Sequence, residues 1–309
     1  MLEDIKKQAG IVGQSKVINE ALDEAARIAA TNSHVLILGE PGTEKKEFAQ
    51  FIHLMSNRAS NSMTEFYCGP IHGYSAEVEL FGHEKGAVKG SMSYSRPGLF
   101  ESANLGSVFL ESISQLSSGN KKKIKKTLID GSVQRIGGDR AEQIDTRVFL
   151  DIEQDKRGKP VPPSLKKQFA KLNVAEIVIP PLRERLEDIP LFYNKQLSSG
   201  AHERLYSYDW PGNIHQLLEV VKKSESFCLS ETLHAEDLIL PHSDHSLDIY
   251  SALPEPEQGF DMPSFLSKVE KQLIIRAIYN ADFNLSEAGR ILGVSDATIR
   301  KFWKKYRPD

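Results

Sequence analysis

Only two cysteines, Cys68 and Cys228, occur in the chain, and neither sits in a CxxC pair or at metal-ligand spacing. That excludes a disulfide framework and a cysteine-based zinc site, and both residues are expected as reduced, buried thiols. The nine histidines form no HExxH grouping, and His242 and His245 fall in a polar stretch where their proximity carries no metal chemistry. No apolar run approaches the ~20 residues needed to span a bilayer. The start, Met1-Leu2-Glu3-Asp4-Ile5-Lys6-Lys7, lacks the apolar core of a signal peptide, so a cytoplasmic protein with no membrane partner is expected. Charge of one sign is also missing in bulk: a formal net charge of -3 rules out a surface coated for nucleic acid and leaves DNA contact to a local patch. No internal repeat is evident.

What is present is an ordinary globular composition, 40% hydrophobic and 26% charged over 309 residues, with room for about two domains. The run Val35-Leu36-Ile37-Leu38-Gly39-Glu40-Pro41-Gly42-Thr43-Glu44-Lys45-Lys46 reads as an apolar strand entering a glycine-bearing, phosphate-binding loop. In such a loop backbone N–H groups surround the β-phosphate, a lysine reaches the β- and γ-phosphates, and the next hydroxyl holds Mg²⁺. Gly39, Gly42, Thr43 and Lys45 fit this pattern. Glu44 stands where the motif requires glycine, and a left-handed conformation there costs a non-Gly residue about 1–2 kcal/mol. Its carboxylate is also expected to repel phosphate. Lys46 replaces the hydroxyl and removes that metal ligand. A second strand, Gly106-Ser107-Val108-Phe109-Leu110-Glu111-Ser112, ends in Glu111-Ser112 where an Asp-Glu pair would hold the metal and prepare the attacking water. Glu111 has the reach for a metal ion, but Ser112 cannot act as a carboxylate base, a role worth about 10²–10⁴ in rate. The expected nucleotide-contacting set is therefore Gly39, Gly42, Thr43, Lys45, Lys46 and Glu111, with no catalytic residue and no metal site.

At the C-terminus the charge becomes local. From residue 290 onward Arg290, Arg300, Lys301, Lys304, Lys305 and Arg307 face only Asp296 and Asp309, the footprint expected for phosphate contact. Residues 264–280 place Phe265, Val269, Leu273, Ala277 and Ile278 at helical spacing, with Leu266 and Ile274 widening the apolar face into a supporting helix. Asn284 followed by Glu287 forms a capping signal. The helix carrying Ala288, Gly289, Ile291 and Leu292 stops at Gly293, and Ser295 caps the next, with Gly289 small where two helices approach closely. This pattern is helix, glycine turn, helix. The last helix, Asp296 to about Tyr306, is expected to bury Ile299 with Phe302 or Trp303 and to enter the major groove. Ser295, Thr298, Arg300, Lys301, Lys304 and Lys305 are the expected DNA-facing residues: Thr298 and Arg300 read bases, while Lys301, Lys304 and Lys305 touch phosphate. The run Lys121-Lys122-Lys123-Ile124-Lys125-Lys126 reads as a solvated helix face.

Three longer stretches carry a resemblance: Glu79-Leu80-Phe81-Gly82-His83-Glu84-Lys85-Gly86-Ala87, Pro180-Pro181-Leu182-Arg183-Glu184-Arg185-Leu186-Glu187-Asp188-Ile189-Pro190 and Tyr208-Asp209-Trp210-Pro211-Gly212-Asn213-Ile214. In this order they resemble the AAA+ domain of bacterial enhancer-binding proteins, the NtrC-like activators of sigma-54 RNA polymerase, and the C-terminal part is similar to the Fis-type helix-turn-helix. The resemblance covers almost the whole chain. It implies an α/β fold, a P-loop-type parallel sheet with a helical lid, followed by an all-α DNA-binding domain. The departures are systematic. The GAFTGA loop that touches sigma-54 reads Gly86-Ala87-Val88-Lys89-Gly90-Ser91, and the sensor asparagine is replaced by Glu153 after Arg147-Val148-Phe149-Leu150-Asp151-Ile152. The trans-acting arginines are missing from residues 162–170, and His215 replaces the sensor arginine. An arginine finger alone contributes about 10³–10⁵ in turnover, so a pseudo-ATPase is expected.

The implied domains are an α/β subdomain at 1–182, a lid at 183–240, a linker at 241–259 rich in Pro254, Pro256 and polar residues, and the DNA-binding domain at 260–309. Because the phosphate-loop strand begins at Val35, no receiver or ligand-sensing domain is expected ahead of it in this sequence, and a sensor would belong to a longer form of the protein or to a separate protein. The expected activity is transcription regulation on double-stranded promoter DNA with RNA polymerase, in the bacterial cytoplasm and on the nucleoid. The AAA+ part would assemble the protein or sense a ligand, either ATP or cyclic di-GMP held without hydrolysis, as in atypical cyclic di-GMP-responsive, VpsR-like or FleQ-like members. A homodimer on a two-fold operator is preferred over a hexamer. The alternatives are a weak ATP-hydrolysing activator of sigma-54 polymerase and a nucleoid protein that binds DNA without regulating.

Overall fold

The computed structural model describes residues 2–69, 76–87, 94–154, 169, 174–228, 230–241, 261–281 and 283–306. It divides into two compact units, Met1–Leu191 with Asp209–Gln216 and Phe192–Tyr208 with Leu217–Asp309. Among the described residues no helix is long and apolar enough to cross a membrane.

The first unit is built on five parallel strands, β1 (His34–Gly39), β2 (Met63–Tyr67), β3 (Ser107–Glu111), β4 (Arg147–Glu153) and β5 (Val174–Val178), in the order β2-β3-β4-β1-β5. Successive side chains of a strand point to opposite faces, and here both faces are covered. Val35 and Ile37 of β1 join Phe109, Phe149 and Ile177 on one face. Leu36 and Leu38 join Val108, Leu110, Val148 and Leu150 on the other, which explains why these strands read as unbroken apolar runs. The first face is closed by α1 (Lys16–Ala29) and α2 (Lys45–Leu54). The side chain of Ser15 caps α1, and Ile18, Leu22, Ala25 and Ile28 recur at helical spacing to form its buried stripe. The second face is covered in part by Phe81, Phe100 and Ile124, the last on α3 (Ser118–Asp130).

One long-range clamp sets where the loops of this unit begin. The Asp188 carboxylate, fully buried, accepts from the N–H groups of Gln14 (2.7 Å) and Ser15 (2.8 Å) and from Ser15 Oγ (2.7 Å). It thereby ties the segment after Pro181 to the start of α1. Since all five strands run in one direction, Gly39, Glu111 and Glu153 arrive at the same edge of the sheet, the edge at which open α/β sheets bind ligands.

The second unit contains the helix Ser199–Tyr206, most of the helix Asn213–Phe227, and three C-terminal helices, α4 (Met262–Asn280), α5 (Leu285–Ile291) and α6 (Asp296–Tyr306). The α5–turn–α6 geometry follows the sequence closely. The Asn284 side chain accepts from Ser286 N–H and Glu287 N–H, and Gly293 turns the chain at φ +66°. A Cβ on Gly289 would lie 3.1 Å from the Val294 carbonyl oxygen and 3.5 Å from Ile299 of α6, so any larger residue would push the turn back by a few tenths of an ångström.

The supporting helix needs a correction. Of the expected apolar face, Ile274, Ala277 and Ile278 are buried with Ala281, Ala288 and Ile299, whereas Leu266, Val269 and Leu273 are not, and Ile275, which the pattern left out, packs with Ile239. Leu266 is 55% exposed and Leu273 51%, with Val269 also exposed. Among the described residues the apolar contacts of α4 with α5 and α6 lie in its C-terminal turns, while Glu270 further back meets Lys305 of α6. Phe302 and Trp303 both pack half-buried beside the fully buried Ile299.

Of the sequence expectations, the loop residues Val88, Lys89, Gly90 and Ser91, the stretch 162–173 apart from Phe169, the linker beyond Pro241 and Arg307 lie outside the described residues.

Candidate functional site

The phosphate-type loop closes on itself through its own side chains. Gly42 adopts φ +77°, and a Cβ there would fall 2.3 Å from the Gly212 carbonyl oxygen, so both conformation and space demand glycine. On Gly39 a Cβ would meet Thr43 Oγ1 at 2.6 Å. Thr43 is buried and donates to the Glu40 carbonyl (2.8 Å). Glu44 holds the left-handed conformation expected of the missing glycine, φ 67° and ψ 35°, immediately before α2.

The expected repulsion from Glu44 is modified by a partner that sequence reading did not assign. Arg185 Nη2 donates to Glu44 Oε2 at 2.8 Å, with the arginine side chain fully buried and the carboxylate nearly so. Burial pushes the Glu44 carboxyl above its ordinary range while Arg185 pulls it down. Two residues earlier the same pattern repeats. Arg183 makes a two-pronged contact with Glu40, Nη1 to Oε2 at 2.8 Å and Nη2 to Oε1 at 2.7 Å, which raises the guanidinium's pKa. Asn213 Nδ2 adds bonds to Glu40 Oε2 (3.2 Å) and the Pro41 carbonyl (2.9 Å). Both arginines and Asn213 stand in the stretches that carry the family resemblance, but nothing local in those stretches reveals their partners.

Lys45 is turned inward. Its Nζ donates to the carbonyls of Gly39 (3.3 Å) and Glu40 (3.0 Å) and lies 3.4 Å from Asp151 Oδ1. Asp151, on β4 and buried, was not among the expected site residues, and burial raises its carboxyl pKa against the pull of Lys45. Its other oxygen accepts the Ser112 N–H at 3.0 Å. The sequence did hold a signal: an ionisable residue inside the apolar run Val148–Ile152 has to find a partner, because an unpaired buried charge is too costly.

Lys46 Nζ lies 2.8 Å from Glu65 Oε2 on β2, and the nearby carboxylates of Glu65, Glu47 and Glu111 hold it charged. Glu111 is exposed at the end of β3, and Ser112, in a left-handed conformation at φ 54°, is buried. Thus Gly39, Gly42, Thr43, Lys45 and Lys46 form one loop with Glu111 beside it. His215 also reaches this loop, its Cβ 3.2 Å from where a Gly42 Cβ would be.

Next to the loop is a cavity of about 350 Å³ lined by apolar side chains such as Val17, Ala21 and Val178 and by the charged Glu20, Glu40, Arg183 and Glu184. The usual protein ligands of a nucleotide-site Mg²⁺ are altered here: the ammonium of Lys46, which has no lone pair to offer, stands where the hydroxyl would be, and Ser112 beside Glu111 brings no carboxylate.

In the C-terminal helices, Ser295 Oγ caps α6 by accepting from Thr298 N–H (3.2 Å) and pairs with Thr298 Oγ1 at 2.8 Å. Arg300 Nη2 lies 3.5 Å from Asp296, which also accepts from Ser286 Oγ of α5 (2.8 Å). Lys301 and Lys304 are exposed, and Lys305 reaches Glu270 of α4 at 3.1 Å. Ser295, Thr298, Arg300, Lys301, Lys304 and Lys305 thus lie on one short helix and its cap, with Thr298 half-buried.

Comparison with known proteins agrees with this layout. The model of the sigma-54 interaction domain matches residues 11–178, that of the AAA+ ATPase lid domain residues 183–247, and that of the bacterial regulatory protein Fis family residues 265–306. Relatives include the nitric oxide reductase transcription regulator NorR2 of Cupriavidus necator, 30% identical over 96% of this chain and 62% of its own length. The transcriptional activator RocR of Bacillus subtilis is 31% identical, over 96% of this chain and 68% of its own length. The chain spans about three fifths of the length of the first of these relatives. In fold it is similar to NtrX from Brucella abortus, with a TM-score of 0.64 at 23% identity, covering 96% of this chain and 69% of that one. With the sigma-54 interaction domain matched over more than half of its residues, followed by the lid and the Fis-type helices, the chain belongs to the family of sigma-54-interaction-domain transcription regulators.

Proposed function

We propose that this protein is a cytoplasmic, sequence-specific DNA-binding transcription regulator whose AAA+ domain binds a nucleotide without hydrolysing it and works with RNA polymerase independently of sigma-54. The observation that carries this reading is the state of the loop's charged groups. Glu44 is paired with Arg185, Lys45 with Asp151 and Lys46 with Glu65, and a serine stands where a base would prepare water. The ligand in this reading is ATP or cyclic di-GMP, and the cavity beside the loop offers apolar walls of Val17, Ala21 and Val178 to a purine. The test is ATP turnover by the purified protein beside footprinting on promoter DNA. Turnover at buffer level with discrete footprints is expected. Turnover abolished by Lys45→Ala would sink this reading and favour the alternative, a weak ATP-hydrolysing sigma-54 activator, for which Glu111 at the strand end and an intact Lys45 speak. Uniform coating of DNA would favour a nucleoid protein.

The regulator acts as a homodimer in this reading. Met262, Leu266, Val269 and Leu273 are all exposed and recur at spacings of four, three and four along α4, the repeat by which helices pair side by side. Leu266→Glu with Leu273→Glu is expected to convert a dimer to a monomer in sedimentation equilibrium and to weaken binding to two-fold operators. A double variant that sediments like the native protein would place any dimer contact elsewhere.

A further inference from the structure

A phosphate-loop site ordinarily needs a divalent cation, held by a hydroxyl on the first helical turn and a carboxylate at a neighbouring strand end, to neutralise the polyphosphate. This chain has replaced the hydroxyl by a cation of its own. Lys46 occupies the first turn of α2, its ammonium is 2.8 Å from Glu65, and Glu111, the carboxylate that would face a metal, also helps to hold it charged. The residue beside Glu111 is not a second carboxylate but Ser112, whose N–H is directed to Asp151. A divalent ion placed here would meet the Lys46 ammonium in place of a hydroxyl ligand, with one carboxylate, Glu111, at the strand end.

We propose that the site takes a nucleoside polyphosphate free of divalent cation, with the Lys46 ammonium standing in the metal's place. The inference rests on the reading that the AAA+ domain binds a nucleotide. Binding requires Lys46 to leave Glu65, and this step costs little, since the two side chains are 51% and 46% exposed and an exposed ion pair contributes little. In exchange the ammonium gains charge-assisted hydrogen bonds to the phosphate oxygens. Because the positive charge is covalently attached, occupancy of the site would not follow Mg²⁺ concentration. Free ATP and Mg-ATP then become competing forms of the ligand, of which the first is bound.

The experiment is calorimetric titration of ATP into the full chain, once in EDTA and once in excess Mg²⁺, with the native protein and Lys46→Thr. The native protein is expected to bind in EDTA and to bind no tighter in Mg²⁺. Lys46→Thr, which restores a hydroxyl at a half-exposed position, is expected to lose about tenfold to a hundredfold in EDTA, the worth of a charge-assisted hydrogen bond. It should recover affinity when Mg²⁺ is added. Tighter binding of the native protein in Mg²⁺, or a variant that binds like the native protein in EDTA, overturns the proposal and leaves the nucleotide-binding reading standing. Absence of ATP binding by the native protein in both buffers overturns both, while the footprint on DNA separately judges the regulator reading.

Discussion

Arg185→Ala is expected to lower the unfolding free energy of the α/β unit by about 3–5 kcal/mol, the usual penalty for stranding one member of a buried ion pair. The Glu44 carboxylate is 9% exposed and the Arg185 side chain 0%, and among the described residues Arg185 Nε and Nη1 are buried without a hydrogen-bond partner. The pair is therefore the main compensation for the guanidinium and for Glu44 together. The sign of the pH dependence follows from Glu44, whose pKa burial already raises above its ordinary value. A carboxyl with a raised folded pKa contributes stability below its unfolded pKa and loses it as the pH rises through the folded one. Without Arg185 that upward shift grows, so the deficit of the variant should be largest at neutral pH and shrink toward pH 4. Urea denaturation at several pH values checks this. Glu44→Gly with Arg185→Met removes both charges and relieves about 1–2 kcal/mol of left-handed strain at position 44. The double variant should recover most of the loss, and equal instability of single and double variants would mean that the ion pair is not its source.

The sequence disclosed the elements whose physics is local. The strand entering Gly39, the left-handed position of Glu44, the Asn284 cap and the Gly293 turn depend on residues within a few positions of one another, and each is found where the pattern places it. What it did not disclose is pairing across the chain. Asp151 with Lys45, Arg183 with Glu40 and Arg185 with Glu44 join segments far apart in sequence, and only the parallel stacking of β1 and β4 and the return of the Pro180–Pro190 segment bring them together. This is why the loop reads in isolation as bearing loose charges and in the fold as a set of matched ones. The stripe on α4 held at Ile274, Ala277 and Ile278 and failed at Leu266, Val269 and Leu273 for a related reason. Periodicity identifies one apolar face along the helix but not how far its covering extends, and the cover ends near Ile274.

Replacing Lys301, Lys304 and Lys305 together by alanine is expected to weaken operator binding by about a thousandfold at low salt, since three charge-assisted phosphate contacts are lost. It should also make the dependence of log K on log salt shallower by about 3, because each neutralised phosphate contributes about 0.9 to that slope. The fold should survive the change. All three side chains are exposed, the Lys305 contact with Glu270 is a surface pair of small value, and the helix is held from its other side by Ile299. Arg300→Ala should behave differently. Thr298 is tied to Ser295 within the helix cap, so in the proposed DNA complex base reading falls mainly to Arg300, which would exchange Asp296 for the acceptors of a base edge. Its loss is expected to cost about 1–3 kcal/mol and to relax preference at one operator position while leaving the salt slope nearly unchanged. Filter binding across a salt series, repeated on operators substituted one base pair at a time, separates the two effects. A triple variant with native affinity and native slope would mean that α6 does not face the DNA, and the basic residues at the end of the chain would then be a solvated surface.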